Sequence, residues 1–314
     1  MGSVTCEELL MRGYGVYVLD NLYQGFREAV HKDAVFLEGS IEDEKYLDEV
    51  FSTYAFDGVM DFAGETLIEF SMTDPYRYFK ANDIDGMRLL NAMIRHGVKK
   101  FIFSSTSAIY GEAQEIPMTE VHQKVPANSY GESKFIFERI LKWYYLIHGL
   151  RSISFRYFNA AGASRNCGEA HNPETHLIPL VFQVAFGKRK TITVFGNDYP
   201  TKDGTCVRDY THVCDLAQAH ILGFEKIDEL EYDAFNLGNG DGYTVLEVIE
   251  AARKVTGHPI PIEMSDRRAG DAAIMVASSR KARERLGWRP HYPSILKIME
   301  TAWLWHKNNP NGYK

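Results

Sequence analysis

The chain has 314 residues, 45% of them hydrophobic and 25% charged, the make-up of an ordinary globular protein with material for about two domains. A net charge of −7 argues against nucleic acid or an anionic membrane as the main partner, although a small basic pocket for a phosphorylated ligand is compatible with it. The cysteines Cys6, Cys167, Cys206 and Cys214 are scattered without a Cys-x-x-Cys pair, so neither a zinc site nor a disulfide framework is expected. No apolar run reaches the roughly 18 residues of a spanning helix, and no signal-peptide pattern precedes the first element. The cytoplasm is the expected compartment.

In chain order, the pattern from Val4 to Arg12 predicts a helix that Gly13 stops. Val16–Leu19 reads as a short strand ending in Asp20-Asn21, Ala34–Leu37 as another, and 44–54 as a helix. A third strand, 58–62, runs into Ala63-Gly64. The segment 76–96 reads as one helix and Phe101–Ser105 as a strand. The helix that starts at Asn128-Ser129 and the strand 152–158 extend the alternation, which is the signature of an α/β, doubly wound parallel sheet of Rossmann type. After about residue 160 the rhythm breaks. Residues 163–176 read as a loop, 177–186 as a helix and 191–195 as a strand, while the turn formers in 196–206 suit an excursion over a ligand. Helices are expected at 213–224, 245–255, 279–286 and 295–305, with a strand at 234–237. The expected organisation is a first domain over 1–160, to which segments around 211–240 return, and a smaller α/β domain over 161–314.

The helix after Asn128 carries Tyr130-Gly131-Glu132-Ser133-Lys134, and residues four apart share a helix face. A free tyrosine has a pKa of about 10, too high for a base at neutral pH, and a nearby cation favours its phenolate. Tyr130 and Lys134 therefore suit acid/base work on a hydroxyl, although an ordinary amphipathic helix with a surface lysine fits the same residues. In a doubly wound sheet ligands bind beyond the carboxyl ends of the strands. Asp20, Gly64, Ser104-Ser105-Thr106 and Asn159 all fall there. Asp20 suits the ribose hydroxyls of an adenosine or, alternatively, a turn. Thr106 suits a hydroxyl brought beside Tyr130. Arg208 and Arg268 suit a diphosphate pocket or surface ion pairs. His212 and His220 lack metal-ligand company and read as structural; no metal is expected.

These fragments together resemble the extended short-chain dehydrogenase/reductases, and within them the nucleotide-sugar 4-epimerases, over nearly the whole length. The resemblance rests on 103–111 (FSSTSAIYG), 129–134 (SYGESK), 156–159 (RYFN), 194–199 (VFGNDY) and 203–210 (DGTCVRDY), the last two being the most specific. It implies interconversion of UDP-glucose and UDP-galactose with NAD as cofactor, a UDP-hexose as partner, and a homodimer. It implies that Tyr130 exchanges the proton of the sugar 4-hydroxyl and that Lys134 binds the nicotinamide ribose and lowers the Tyr130 pKa. Thr106 would hydrogen-bond the reacting oxygen. Gly2, Asp20, Asn21, Ile41, Phe62, Ala63, Gly64, Asp83, Ser104 and Phe158 match cofactor positions. Asn159, Leu177, Thr193, Phe195, Arg208, Arg268 and Asp271 match positions that hold the UDP-sugar, and Met275 the position that gates N-acetyl groups.

The chain departs from the family pattern at Ser40, Asp61, Thr66 and Asp83, where aspartate, histidine, lysine and asparagine are usual; Asn82 stands beside Asp83. The family begins with a strand and a glycine-rich turn that holds the pyrophosphate. Here Gly2-Ser3-Val4 resemble the end of that turn, so the strand and most of the turn are expected to precede the chain as written, and NAD is not expected to co-purify with it. Two alternatives stay open: a sister epimerase or dehydratase, the latter disfavoured because 104–107 supplies hydroxyls and no acid, and an inactive nucleotide-sugar binder.

Overall fold

In a computed structural model, which describes residues 1–268 and 271–313, helices and strands alternate as the pattern predicts. The first part runs α1 (Gly2–Met11), β1 (Tyr17–Asp20), β2 (Val35–Glu38), α2 (Glu44–Thr53), β3 (Val59–Asp61), α3 (Ile68–Ser71), α4 (Pro75–Phe79), α5 (Asp85–Arg95), β4 (Lys100–Thr106), α6 (Ser129–His148) and β5 (Arg151–Tyr157). There follow β6 (Asn159–Ala161), α7 (Leu177–Ala185), β7 (Ile192–Phe195), β8 (Val207–His212), α8 (Val213–Glu225), α9 (Ile227–Leu230) and β9 (Tyr232–Leu237). The chain ends with β10 (Gly242–Thr244), α10 (Val245–Thr256), β11 (Ile262–Ser265), β12 (Ile274–Met275), α11 (Arg280–Arg285) and α12 (Ile295–Asn308). No helix among the described residues is long and apolar enough to cross a membrane.

Strands β3, β4, β5 and β9 form a parallel sheet in that order. β4 and β5 are buried along nearly their whole length, as expected where helices cover both faces. On one face Leu89, Leu90 and Met93 of α5 and Phe137 and Leu141 of α6 pack on Phe101 and Phe103. On the other, Leu216 and Ala219 of α8 and Trp288 pack on Ile102, Ile153 and Phe155. β1 and β2 form a separate parallel pair. No hydrogen-bonded ladder joins β1 to β3 among the described residues, and Val18, Leu19, Val59 and Met60 all line the cleft described below.

A second sheet has β8 between β10 and β12, with β6 against the far end of β8. The β7–β11 pair and helices α7, α10 and α12 enclose a third core around Phe182, Val248 and Met299. Two sequence expectations change. The helix expected over 76–96 is interrupted: α4 passes through a wider π-turn at 80–84 before α5 begins. That turn buries Asn82 and Asp83. The 196–206 segment does not line the cleft described below, and its end is packed. Thr205 and Cys206 are buried, and the Thr244 hydroxyl donates to Asp203 at 2.5 Å, which ties the turn to α10.

Candidate active site

Register places the site. Asp61 lies opposite Phe103, and Thr106 opposite Tyr157, so β3, β4 and β5 end along one edge. The segments leaving them, 62–64, 106–108 and 158–159, line one continuous cleft of about 1390 Å³. That exceeds the roughly 300–1,000 Å³ of a pocket for one small ligand and suits two bound side by side. The cleft runs from Gly2, Asp20, Asn21 and Ile41 at one end, past Phe62, Ala63, Gly64, Ser104, Tyr130, Lys134 and Phe158, to Asn159, Leu177, Arg208, Asp271 and Met275 at the other.

Helix α6 presents the central pair. Asn128 caps it, its side-chain oxygen accepting from the Gly131 amide at 2.8 Å. Gly131 is required for closeness: a Cβ there would sit 2.4 Å from the Ala108 carbonyl oxygen, so any larger residue would push α6 off the turn after β4. Thr106 caps that turn by accepting from the Ala108 amide at 3.1 Å. The Tyr130 ring meets Tyr78 edge-on at 6.4 Å. Lys134 is buried, its ammonium 4.8 Å from the centre of the Phe103 ring.

The electrostatics differ from the sequence expectation. Burial pushes the Tyr130 phenol up, and the Thr106 hydroxyl offsets only part of this. Burial pulls the Lys134 pKa down, and its charge is supported by the buried carboxylates Asp61 and Asp83, which compete with the phenol for it. Burial raises Asp61, against the pull of Lys134 and the Ala63 amide, which donates to it at 2.9 Å. Asp83 is pushed up to about 7 by burial, with Lys134 opposing, and neither carboxylate oxygen has a hydrogen-bond partner. Asp83 does not line the cleft. Its neighbour Asn82 has the organised role: its oxygen accepts from the Glu65 amide at 2.8 Å, and its nitrogen donates to Glu65 oxygen at 3.1 Å and Ser133 oxygen at 2.9 Å. Asn82 thereby clamps the loop after β3 to α6. Gly64 in that loop has φ +130, and a Cβ there would lie 2.3 Å from the Asn82 oxygen.

At the first end, Asp20 both faces the cleft and closes a turn, accepting from the Leu22 amide at 2.7 Å. At the far end, the pairing of β12 with β8 sets Met275 beside Arg208. The Arg208 guanidinium donates to the Ala272 carbonyl at 2.8 Å and lies 3.4 Å from Asp271. Asn159 donates to the Asp209 carbonyl at 3.0 Å. Thr193, Phe195 and Arg268 do not line the cleft. Thr193 and Phe195 belong to the β7–β11 pair, and the Arg268 guanidinium stacks 4.4 Å over the Phe195 ring.

Sequence reasoning missed two supports. Asp209 is fully buried and accepts from the amides of Asn239, Gly240 and Ala277, joining three segments; burial raises its pKa to about 6. Arg156 and Glu138 pair inside the protein, with Arg156 Nε 2.9 Å from Glu138, while Ser105 donates to the same carboxylate at 2.6 Å. Ser105, Arg156 and Asp209 lie inside the fragments that carry the resemblance and Glu138 does not, and only burial reveals their part. His212 and His220 are structural: His212 stacks on Tyr292 at 3.8 Å and its ring nitrogen lies 2.8 Å from the Thr301 hydroxyl. Burial lowers both imidazoles to about 4. The cysteines are free.

A family profile described as GDP-mannose 4,6 dehydratase matches residues 1–299. Across the full chain, and 96% of the relative, the sequence is 49% identical to a UDP-glucose 4-epimerase of Lacticaseibacillus casei. The chain belongs to the UDP-glucose 4-epimerase family. A crystal structure of a UDP-glucose 4-epimerase superposes with a TM-score of 0.97 at 47% identity, covering 100% of this chain and 96% of that one. The Bifidobacterium longum UDP-glucose 4-epimerase, solved in complex with NAD+ and UDP, superposes with a TM-score of 0.94 at 37% identity, over 99% and 96% of the two chains. The epimerase relatives and the dehydratase profile agree on the fold and differ in the reaction named.

Proposed function

We propose that this chain is a UDP-glucose 4-epimerase that interconverts UDP-glucose and UDP-galactose with bound NAD. The observation that carries the reading is the single cleft in which Tyr130, Thr106 and Lys134 stand between a dinucleotide-sized end and a basic end at Arg208. The residues present fit NAD. Asp20, Asn21 and Ile41 would receive the adenosine, and the free first-turn amides of α1 at Gly2 a phosphate. Gly64, Ser104, Lys134 and Phe158 would hold the nicotinamide half; the Ser104 hydroxyl is buried without a partner. When bound, NAD supplies the acceptor and donor of the C4 hydrogen.

The chain's own part is proton transfer and positioning. Tyr130 takes the O4 proton as C4 is oxidised and returns it after the 4-keto sugar has presented its other face. Burial opposes the phenolate, and the positive charge of an oxidised nicotinamide, when bound, would favour it and so make Tyr130 an effective base. The Thr106 hydroxyl orients the reacting oxygen. Arg208 draws the diphosphate, and Asn159, Leu177, Asp271 and Met275 frame the rest of the nucleotide sugar. The hydroxyls of 104–107 bring no acid to assist loss of water, which favours epimerisation over dehydration.

The cofactor half corresponds to 1–160 with the returning α8–β9 segment, and the UDP-sugar half to the remainder of 161–314. A cytoplasmic homodimer accords with the family. The test is conversion of UDP-galactose to UDP-glucose with added NAD, followed chromatographically, for the parent chain and Tyr130→Phe. The variant should lose turnover while binding UDP as the parent does. Turnover within about tenfold of the parent, roughly 1.4 kcal/mol in barrier, would remove Tyr130 from its role. A 4-keto-6-deoxy product would replace epimerisation by dehydration.

A further inference from the structure

The loop between β6 and α7 carries a cluster that the epimerase chemistry does not use. Glu169, His171, Glu174 and His176 turn one potential ligand atom each toward a common point, all within 4.8 Å of one another. The His176 Nδ1 lies 3.0 Å from Glu169 and 2.9 Å from Glu174. The His171 Nδ1 lies 3.4 Å from Glu169 and 3.7 Å from Glu174. Four ligands placed tetrahedrally at zinc distances of about 2.0–2.1 Å stand about 3.3 Å apart, which is the middle of these values.

A second observation points inward. The His171 Nδ1 atom is shielded from solvent and makes no hydrogen bond, although the ring around it is a third exposed. A shielded nitrogen facing two carboxylates can be satisfied by a proton or by a cation held among the three groups. The frame is held from outside: Trp305 donates to the Asn166 carbonyl at 3.2 Å, and the Gly168 amide donates to the Tyr313 hydroxyl at 3.0 Å. The Glu174 carboxylate is oriented by the Thr175 and His176 amides, both at 2.9 Å.

We infer that Glu169, His171, Glu174 and His176 form a four-coordinate site for a divalent transition metal, zinc being the ion whose preferences they match. Two imidazoles disfavour magnesium and calcium, which take oxygen ligands, and the absence of thiolate from the set disfavours copper(I) and iron–sulfur chemistry. Four protein ligands leave no open position, so the ion is structural. It would tie the loop to the start of α7, where Leu177 lines the cleft, and so hold the wall beside the UDP-sugar end.

The test uses the full chain, stripped with a chelator, then given zinc chloride alone and desalted. The parent is expected to retain one zinc ion per chain by elemental analysis. Glu169→Gln/His176→Asn keeps the shapes of both side chains approximately and an accepted N-cap residue at 176, and should bind zinc at least about tenfold more weakly. The exposed control His258→Asn should retain it. A parent with no more zinc than the buffer blank overturns the site, and so does a double variant that holds as much as the parent. Should the double variant fail to fold, the parent decides: cobalt(II) must give a tetrahedral visible spectrum without thiolate charge transfer, and zinc must raise its melting temperature. Absence of either rejects the site.

Discussion

Asp83 offers the sharpest test of the electrostatics beneath the site. It is buried, neither oxygen has a hydrogen-bond partner, and its pKa moves from 3.8 to about 7. A folded-state pKa above the unfolded value means that the native protein binds this proton more tightly. Its contribution to stability is therefore fully present below about pH 4 and lost as pH rises through about 7. At about 1.4 kcal/mol per unit the full shift corresponds to roughly 4 kcal/mol. Allowing for solvent relaxation and the nearby Lys134 charge, about 2 kcal/mol is the expected measurable effect. Asp83→Asn keeps the shape and removes the titration. In urea unfolding at intervals from pH 4 to pH 8, the variant should match the parent at the acid end and exceed it by about 2 kcal/mol at the alkaline end, the gap opening between pH 4 and 7. A difference that is constant with pH, or a variant that becomes the less stable as pH rises, would refute the reasoning. The second outcome would make Asp83 an ionised partner that Lys134 needs.

Three further outcomes test the scaffold and the specificity. Gly131→Ala forces a methyl against the Ala108 carbonyl and should lower stability by about 1–3 kcal/mol, with a parallel loss of turnover; thermal unfolding and the epimerase assay check both. Glu138→Leu leaves Arg156 charged and unpaired inside the protein and should cost about 3–5 kcal/mol, whereas an exposed pair such as Lys297–Glu300 should cost little; unfolding of the two variants side by side decides. Met275 lines the cleft beside Arg208, and its long flexible side chain limits the room there, so Met275→Ser should raise the efficiency on UDP-N-acetylglucosamine relative to UDP-glucose. An unchanged ratio would place the gate elsewhere.

The local elements and their residues were legible wherever one physical cause was enough. Apolar runs broken by turn formers marked the strands, and the residues just beyond their carboxyl ends became the walls of the cleft, because parallel strands of one sheet end along one edge. The spacing of Tyr130 and Lys134 put them on one helix face without reference to anything else. The sequence is silent where the outcome depends on what arrives from far along the chain. Thr193 and Phe195 match the nucleotide sugar by resemblance, and folding pairs their strand with β11 and lays the Arg268 guanidinium over the Phe195 ring, contacts that the motif does not contain. Residues 196–206 read as an excursion over a ligand because of their turn formers, and Thr244 ties the end of that turn to α10, where Thr205 and Cys206 are buried. Spacing and the family resemblance pair the Lys134 charge with Tyr130. Folding surrounds the same ammonium with Asp61 and Asp83, and Coulomb interactions depend on distance and burial, neither of which a spacing contains. What the sequence determined by itself is the alternation of elements, the strand ends and the catalytic face. What only the tertiary structure decided is which charges meet, which hydroxyls are buried and which four side chains of 169–176 converge, because these are contacts between segments or across a folded loop that no local period encodes.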